Sequence, residues 1–395
     1  MAEQACLHRL TDGPRVIGFI GIDTSVAGRA RGGLRIAGEL SEEEIRLAAR
    51  AMTLKYGVLG LPQGGAKAGI IGDPDAPAGE RRRRLHEFAR AAEPWLRTGA
   101  YTPDADLGTS SADIRRMMAS IGVRVGGRDW RENRSGLHTA RSVLASLRAA
   151  LACCGRSIAE CRAAVEGFGK VGSSLARLLH EQGARVVAVS TSRGAVYDPD
   201  GLDVPRLLAR AAEAGSGFVE QEEGRIDREA LIELPVDALL PCARLHSIHV
   251  GNVDRVAAKI VCAGANNPVT AEAERRLFAR GVRCPPDFVT NCGGVLGGTL
   301  EFAGVRVERI GRMIDDFVGE CIRDLLQRAE GAGLSPRELA ESEALARHDA
   351  IRRQAEDAGV LQRLISLGLS AYRRGWVPQP FVSRAAELYM ARRFR

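Results

Sequence analysis

The part of the sequence that most constrains the fold is residues 161 to 194, "CRAAVEGFGKVGSSLARLLHEQGARVVAVSTSRG". An apolar strand runs into Gly167, Gly169 and Gly172, which are spaced as GxGxxG, and an amphipathic helix and a second apolar strand follow. In such a βαβ unit the glycines allow a tight turn, the close approach of a pyrophosphate and close packing of the helix. The segment therefore predicts a Rossmann domain that binds a dinucleotide, and a Rossmann-like domain that binds no nucleotide is the alternative. The candidate contacts in the turn are Gly167, Gly169, Lys170, Val171 and Gly172.

The end of the second strand indicates which dinucleotide is bound. NAD-selective Rossmann domains carry an acidic residue there, which accepts hydrogen bonds from the ribose. This sequence has Thr191, Ser192 and Arg193 instead. Hydroxyl groups and two cations, Arg193 and Lys170, can hold a 2′-phosphate, so NADP is favoured over NAD. Use of both cofactors, or an Arg193 that only faces solvent, are the alternatives.

The order of strands and helices predicts an α/β protein. The apolar strands "VDALLPCA" and "AKIVCAGANNP" alternate with the helix "VTAEAERRLFARGV", which favours a parallel doubly wound sheet. Nearer the start, "RVIGFIGID" is typical of a strand. The segment "SEEEIRLAARAMTLKYGVLG" is typical of a helix that Ser41 caps, with Glu44 closing a capping box. The polar segment of residues 126 to 136 predicts a linker.

These patterns predict two domains. We expect an α/β domain over residues 1–133 and a Rossmann NAD(P)-binding domain over residues 134–300. Residues 301–395 form a C-terminal helical segment that is expected to pack back across the domains.

The stretch "GLPQGGAKAG" indicates where chemistry takes place. It is not a phosphate loop of the form GxxxxGK[ST], because Ala66 separates the glycines from Lys67 and Ala68 replaces the hydroxyl residue. The chain has only four lysines among its 56 lysines and arginines, and Lys55 and Lys67 lie close together in sequence. Lysine can lose its proton in a buried site, whereas arginine effectively cannot. Lys55 and Lys67 are therefore candidates for a site that needs an amine.

The composition argues against several other classes of protein. No segment is typical of a signal peptide or a membrane span, so the cytoplasm is expected and membrane binding is not. Nine cysteines contain no CxxC pair, and seven histidines show no ligand spacing, so no metal is expected. The net charge of +7 is spread thinly and aromatic residues are only 5% of the chain, so nucleic-acid binding is not expected.

Motifs from about residue 20 to residue 302 resemble those of the glutamate/leucine/phenylalanine/valine dehydrogenases. The resemblance is carried in order by "GRARGGLRI", "AMTLKYGVLGLPQGGAKAGI", "YTPDADLGTSSADI", "HTARSVLASLRAAL", "VEGFGKVGSSLARLL", "AGANNPVTAEAERRL" and "PPDFVTNCGGV". It implies an NAD(P)-dependent enzyme that reversibly deaminates an L-amino acid to a 2-oxo acid and ammonium. It also implies that the domain of residues 1–133 binds the substrate and builds a homo-oligomer, and that a catalytic cleft separates this domain from the Rossmann domain.

The resemblance also implies roles for individual residues. Lys55 matches the lysine that grips the substrate α-carboxylate, Lys67 the catalytic lysine, and Asp106 the aspartate that transfers protons. Met52, one helical turn before Lys55, and Gly33 are further candidates for substrate binding. The residues expected to line the dinucleotide, besides those of the glycine turn and the second strand, are Thr139, Ala243, Asn266 and Asn291.

The positions that choose the substrate side chain depart from the family. Glutamate enzymes have a lysine before the "GGxR" glycines and a serine after the "NAGGV" motif, where this chain has Arg31 and Gly298. Asp104 replaces a small residue of the same pocket, and we expect it to pair with Arg31. With extra room expected at Gly297 and Gly298, a larger or polar substrate is favoured over glutamate. An oxidative coupling enzyme of the same fold and a non-catalytic dinucleotide-binding regulatory subunit are the alternatives.

Overall fold

The computed structural model describes residues 5–130, 134–357 and 367–393. The chain divides into two compact units. The first unit comprises Met1–Asn133, Leu300–Val305 and Ser342–Arg395, and the second comprises Arg134–Thr299 and Arg306–Glu341. The C-terminal region is therefore shared between the two units and does not form a separate one.

The first unit contains a five-stranded sheet in the order β1-β2-β4-β3-β5. Strand β3 pairs in parallel with both β4 and β5, and the β1–β2 and β2–β4 pairs are antiparallel. The strands are β1 (Cys6–Asp12), β2 (Arg15–Ile22), β3 (Ala30–Ala37), β4 (Gly64–Ile71) and β5 (Tyr101–Ala105). The helices are α1 (Glu42–Leu59), α2 (Ala78–Ala91), α3 (Glu93–Thr98) and α4 (Ser111–Ser120).

Helix α1 packs closely on β4. A Cβ added at Gly65 would lie 2.2 Å from Thr53 Oγ1, so the strand needs a glycine where the helix crosses it. The predicted cap is confirmed, because the Ser41 hydroxyl accepts a hydrogen bond from the Glu44 amide. The Glu44 carboxylate does not close a capping box. It accepts a hydrogen bond from Arg35 at 2.5 Å instead, so a charge in the sheet takes it away from the helix end.

The core of the first unit is built from side chains of the sheet, α2 and α4. Its fully buried members include Ile20, Leu34, Ile36, Phe88, Tyr101 and Ile114. Trp130 packs against this core and Asp129 is buried. Residues 126–130 of the predicted linker therefore pack onto this unit, and the boundary between the two units, after Asn133, falls within the predicted linker. Residues 131–133 lie outside the described part of the chain.

The second unit contains a six-stranded sheet in the order β11-β10-β6-β7-β8-β9. The strands are β6 (Arg162–Glu166), β7 (Arg185–Thr191), β8 (Gly194–Tyr197), β9 (Arg225–Ile226), β10 (Ala238–Pro241) and β11 (Ile260–Val261). The helices are α5 (Ser135–Ala152), α6 (Lys170–Glu181), α7 (Val204–Ala214), α8 (Ala271–Ala279), α9 (Asp287–Thr290), α10 (Gly293–Phe302) and α11 (Val307–Ala332).

The predicted parallel sheet is present over four of these strands, β11, β10, β6 and β7. Strands β8 and β9 extend the sheet in antiparallel pairs. The chain reverses after β7 through a two-residue turn at Ser192 and Arg193, and Gly194 follows with a φ of 147°. Glycine takes such a backbone angle easily, so the direct return to the sheet replaces a helical crossover here.

Three helices follow, namely α12 (Pro336–Asp357), α13 (residues 367–373) and α14 (Gln379–Arg393). Within the first unit, α12 and α14 pack near the end of α1. His348 Nε2 lies 3.0 Å from the Gln63 carbonyl oxygen, and the Tyr389 hydroxyl donates to the Gly60 carbonyl at 3.1 Å. In the described residues, no helix is both long enough and apolar enough to cross a membrane.

Candidate functional site

Strand β3 presents a row of three positions on one face of its sheet. Arg31, Gly33 and Arg35 alternate along the strand, so they share the same face. A Cβ added at Gly33 would lie 2.6 Å from Asp106 Oδ2 and 3.0 Å from Lys67 Nζ. The glycine therefore makes room for the lysine and the aspartate, between an arginine on either side.

Lys67 and Asp106 form an ion pair at this gap. Lys67 lies in the middle of β4 and is buried, and its ammonium group donates to Asp106 Oδ2. Asp106 follows β5, and its loop is held in place because its amide donates to Thr109 Oγ1 at 2.9 Å. The Thr109 hydroxyl in turn donates to the Leu34 carbonyl of β3 at 2.8 Å. Sheet pairing thus brings together two residues that are far apart in sequence.

The surroundings shift the pKa values of both partners. Burial lowers the pKa of Lys67, and Arg35 lowers it further, although Asp106 opposes the shift. Burial alone would raise the pKa of Asp106, but the charges of Lys67 and of Arg35, whose Nη2 atom lies 3.6 Å from Asp106 Oδ2, hold it well below its usual range. Asp106 is therefore ionised over the physiological range, and Lys67 loses its proton more easily than an exposed lysine.

Arg31 and Asp104 form the predicted pair. Arg31 Nε and Nη2 donate to the two carboxylate oxygens of Asp104, each at 2.6 Å, in a bidentate arrangement. The side chains are 37% and 33% exposed, so both remain accessible to solvent. The Asp104 charge raises the pKa of Arg31.

Lys55 and Met52 lie on one face of α1, three residues apart, and both are buried. Tyr56 lies beside them, and its hydroxyl donates to the Arg31 carbonyl at 3.3 Å. Helix α1 thus contributes a second buried lysine to the first unit, on the helix that packs against the strand of Lys67.

In the second unit, each glycine of the GxGxxG turn has a separate structural reason. Gly167 has a φ of 93°, and a Cβ there would lie 2.6 Å from Ala243 Cβ. A Cβ at Gly172 would lie 1.8 Å from the Gly167 carbonyl oxygen, so helix α6 packs directly on the turn. A Cβ at Gly169 would meet no heavy atom of the described residues within 4 Å. This open position allows a ligand to approach the backbone at the start of α6.

Other predicted cofactor residues surround this turn within the second unit. Gly136 at the start of α5 approaches Lys170, because a Cβ there would lie 3.2 Å from Lys170 Cβ. Thr139 lies beside Gly294, where a Cβ would be 2.5 Å from Thr139 Oγ1. Asn291 donates to the Ala265 carbonyl at 2.8 Å and to Asn266 Oδ1 at 3.1 Å.

Two features of these residues fit a dinucleotide. The Asn291 Oδ1 atom is buried and has no hydrogen-bond partner in the described part of the chain, so it can accept a hydrogen bond from a carboxamide. At the end of β7, the Thr191 hydroxyl donates to the Ser216 carbonyl at 2.8 Å, while Ser192 and Arg193 are exposed in the turn. Lys170 is also exposed. Arg193 and Lys170 therefore remain open to a phosphate.

Comparison with known proteins is decisive at this point. The Glutamate/Leucine/Phenylalanine/Valine dehydrogenase model matches residues 126–350, and the Glu/Leu/Phe/Val dehydrogenase dimerisation domain matches residues 8–122. The chain belongs to the Glu/Leu/Phe/Val dehydrogenase family. As a member of this family, it is an NAD(P)-dependent oxidoreductase that acts on the CH–NH₂ group of an amino acid.

Individual relatives of this Glu/Leu/Phe/Val dehydrogenase are mainly glutamate enzymes. The chain is 35% identical to glutamate dehydrogenase of Thermotoga maritima over 70% of this chain and 69% of the relative. It is 32% identical to the catabolic NAD-specific glutamate dehydrogenase of Bacillus subtilis over 72% and 70% of the two chains.

Solved structures give the same family fold. The hetero-hexameric glutamate dehydrogenase from Thermus thermophilus, in a leucine-bound form, is 26% identical with a TM-score of 0.75, covering 89% of this chain and 90% of that one. L-tryptophan dehydrogenase from Nostoc punctiforme shares the fold at 22% identity and a TM-score of 0.61, covering 89% and 97% of the two chains.

One sequence expectation about this dehydrogenase is wrong. Gly297 does not provide extra room, because a Cβ there would lie 2.3 Å from the His138 ring. The glycine is needed by its packing partner in α5. Gly298 is half-buried in α10 of the second unit.

In the described residues there is no group of three or more histidine, cysteine or acidic side chains that could hold a metal ion.

Arg35 and its partner Glu44 were not predicted from the sequence to belong to the site, and Glu44 was expected only to cap a helix. Arg35 Nη1 donates to Glu44 Oε1, while Nη2 lies 3.6 Å from Asp106. The alternation of Arg31, Gly33 and Arg35 along an expected strand was the signal that could have identified it. No such local signal exists for Glu44, which reaches Arg35 from another element.

Proposed function

We propose that this enzyme reversibly deaminates an L-amino acid other than glutamate, with a larger or polar side chain. The observation that supports this substrate choice is the bidentate pair of Arg31 and Asp104. Family resemblance places a free lysine at position 31 in glutamate enzymes, where it contacts the distal carboxylate. Here the cation is already paired with a carboxylate. A second carboxylate from glutamate would have to compete with Asp104 for it.

The residues of the first unit supply the proton chemistry in this proposal. Lys55 holds the α-carboxylate of the substrate, and Asp106 transfers a proton to or from the amino group. Lys67, with its lowered pKa, is the base that activates water for attack at the α-carbon after that carbon has lost its hydride and become part of a C=N bond. Protonated Lys67 stabilises the negative charge on oxygen, and the C–N bond breaks as ammonia leaves. The overall reaction converts the amino acid, water and oxidised cofactor into a 2-oxo acid, ammonium, reduced cofactor and a proton.

The dinucleotide is held, in this proposal, by the second unit. The turn at Gly167, Gly169 and Gly172 would hold the pyrophosphate, and Thr139, Ala243, Asn266 and Asn291 would line the nicotinamide. A bound NAD(P)⁺ would supply the acceptor for the hydride of the substrate α-carbon. NADP is favoured over NAD because Thr191–Arg193 contains no carboxylate and leaves Arg193 exposed. Arg193→Ala should then raise the KM for NADP⁺ and leave the KM for NAD⁺ nearly unchanged.

A substrate panel tests the proposed function. The purified protein is mixed with amino acids, including aromatic and non-proteinogenic ones, and either NAD⁺ or NADP⁺, and absorbance is followed at 340 nm. We expect at least one substrate other than glutamate to give the highest kcat/KM, and Lys67→Ala to abolish the signal. Glutamate as the best substrate would refute the substrate choice. No turnover with any amino acid, despite demonstrated cofactor binding, would favour a regulatory subunit instead.

We also propose a cytoplasmic homo-oligomer. The match of residues 8–122 to a dimerisation domain supports self-association. Light scattering after size-exclusion chromatography tests it, and a monomer at all concentrations would refute it.

A further inference from the structure

We propose that Asp129 and Arg373 form the outer part of the substrate side-chain pocket and determine its specificity together with Arg31 and Asp104. The inference rests on the proposed function, and it names the substrate class: an uncharged side chain that both donates and accepts hydrogen bonds, such as a carboxamide. Arg373 comes from helix α13, which lies beyond residue 350, where the family match ends.

Asp129 and Arg373 form an ion pair in the first unit. Asp129 is buried, and its Oδ2 atom accepts a hydrogen bond from the Gly126 amide at 2.8 Å. Its Oδ1 atom lies 3.3 Å from Arg373 Nε. The Arg373 side chain is 47% exposed, so its guanidinium is fixed on one side and accessible on the other.

The turn that carries Asp129 is held against strand β5. Trp130 adopts an unusual φ of 46°, and its indole Nε1 donates to the Pro103 carbonyl at 2.7 Å. Pro103 directly precedes Asp104. A non-glycine residue in this backbone region is uncommon, and it is retained here because the indole is packed and hydrogen-bonded. The turn of residues 126–130 is therefore fixed next to the strand that carries Asp104.

Helix α13, which carries Arg373, is held in place by Arg128 and by its own Tyr372. Arg128 donates to the Tyr372 and Val377 carbonyl oxygens at 2.9 and 3.1 Å, and its guanidinium lies 4.1 Å from the centre of the Tyr372 ring. The Tyr372 side chain is buried, and its hydroxyl donates to the Phe302 carbonyl at 2.7 Å. Arg373, the next residue, is thus placed by a well-held neighbour.

The charges of this pair also act on the Arg31–Asp104 pair. The pKa of Arg31 is raised mainly by Asp104, and Asp129 adds to this effect. The pKa of Arg373 is lowered by burial, and Arg31 lowers it further while Asp129 opposes the change. Arg31, Asp104, Asp129 and Arg373 therefore act on one another as two ion pairs, and Arg29 is a further cation that acts on Arg373.

A cluster of two such pairs favours a neutral polar substrate. Its guanidinium groups can donate to a substrate carbonyl, and its carboxylates can accept from a substrate N–H or O–H. A charged side chain is attracted by one half of the cluster and repelled by the other, which discriminates against glutamate and lysine alike.

Two single variants test the inference, and each should favour a substrate of a different charge. Asp129→Asn removes a negative charge and should raise the kcat/KM ratio of glutamate over glutamine by about 5- to 10-fold. Arg373→Met removes a positive charge and should raise the ratio of lysine over glutamine by a similar factor. Both changes should appear mainly in KM, because the cluster binds a part of the substrate that does not react.

The matched control is Arg374→Met. Arg374 is the next residue, and its guanidinium lies 5.1 Å from the ring of the exposed Trp376. Its substitution should leave both ratios unchanged. A loss of stability that affects folding alone would lower activity for all substrates, and it cannot raise the glutamate ratio in one variant and the lysine ratio in the other.

The outcomes separate this inference from the proposed function. If Asp129→Asn and Arg373→Met leave the ratios unchanged, or reduce all substrates equally, the inference is refuted. If Asp104→Asn shifts the glutamate ratio while these two variants do not, the inference fails and the proposed function stands. If the unmodified enzyme prefers glutamate, the proposed function fails whatever the variants do.

Discussion

Asp104→Asn is the substitution that most directly tests the proposal that this dehydrogenase disfavours glutamate. The change keeps the size of the side chain but removes the charge that holds Arg31. The guanidinium is then available for the distal carboxylate of glutamate. We therefore expect glutamate to gain activity relative to an uncharged substrate such as glutamine.

The geometry of the pair sets the expected magnitude. Two donor atoms of Arg31 reach Asp104 at 2.6 Å each. A hydrogen bond to a charged group contributes about 1.5 to 3 kcal/mol, and water screens this pair because its side chains are 37% and 33% exposed. About 1 to 2 kcal/mol should become available to the substrate, which corresponds to roughly 5- to 30-fold in kcat/KM for glutamate.

The assay compares kcat/KM for glutamate and glutamine in the unmodified enzyme, in Asp104→Asn and in Asp12→Asn. Asp12 is the control because it is an exposed aspartate of β1 whose carboxylate lies 3.5 Å from Arg15. The gain should appear in KM, and it should shrink at high salt because exposed charges are screened. A folded, cofactor-binding Asp104→Asn enzyme whose glutamate kcat/KM is unchanged would refute the reasoning.

Two further substitutions test the proposed catalytic pair, and a third tests a buried ion-pair network of the second unit. Arg35→Met removes a cation that lowers the pKa of Lys67, so that pKa should rise. The ascending limb of the plot of kcat/KM against pH should then move to higher pH. An unmoved limb would show that Arg35 does not act on the lysine. Lys67→Arg keeps a positive charge but removes an amine that can lose its proton, so kcat should fall by about 10²- to 10⁴-fold. Cofactor affinity, measured by fluorescence titration, should stay unchanged. Retained turnover would contradict the role of Lys67 as the base. Arg337→Met leaves the buried carboxylates of Glu274 and Asp287 without their cation, so urea titration should show a loss of about 3 to 5 kcal/mol in the free energy of unfolding. Arg275→Met, which removes an exposed ion pair, should cost less than about 1 kcal/mol. Equal losses in the two variants would contradict the argument.

The Rossmann unit was predictable because its determinants are local. The strand, the glycine turn and the helix occupy consecutive residues, and each glycine has a backbone angle or a close contact that a short motif can encode. The β7–β8 reversal was not predicted as a break in the parallel order, because a short strand after a two-residue turn has no helical crossover to identify.

The pairing of Lys67 with Asp106 depends on long-range contacts. Strand β3 lies between β4 and β5 in the sheet, although β4 and β5 follow it in the chain. Hydrophobic patterning can indicate each strand but not this order. Only family resemblance brought the two residues together at the sequence level. The contact of Asp129 with Arg373 spans a still longer separation and has no local signal of any kind.

The error at Gly297 has a different cause. A glycine in a sequence is compatible with empty space beside it, and equally with a neighbour that fills that space. His138 fills it here. At Gly33 the same ambiguity arises with another outcome, since the missing side chain is replaced by the catalytic candidates themselves. The distinction requires coordinates, because it depends on which residue of another element occupies the gap.

The two kinds of cation in this sheet therefore have different chemical reasons. At position 31 a guanidinium fits because its planar fork meets both oxygens of Asp104 and stays charged at any working pH. At position 67 an amine is needed, because burial and the neighbouring Arg35 can bring it toward its neutral form. At these two positions the amine stands where a proton is proposed to move, and the guanidinium stands where it holds the carboxylate of Asp104.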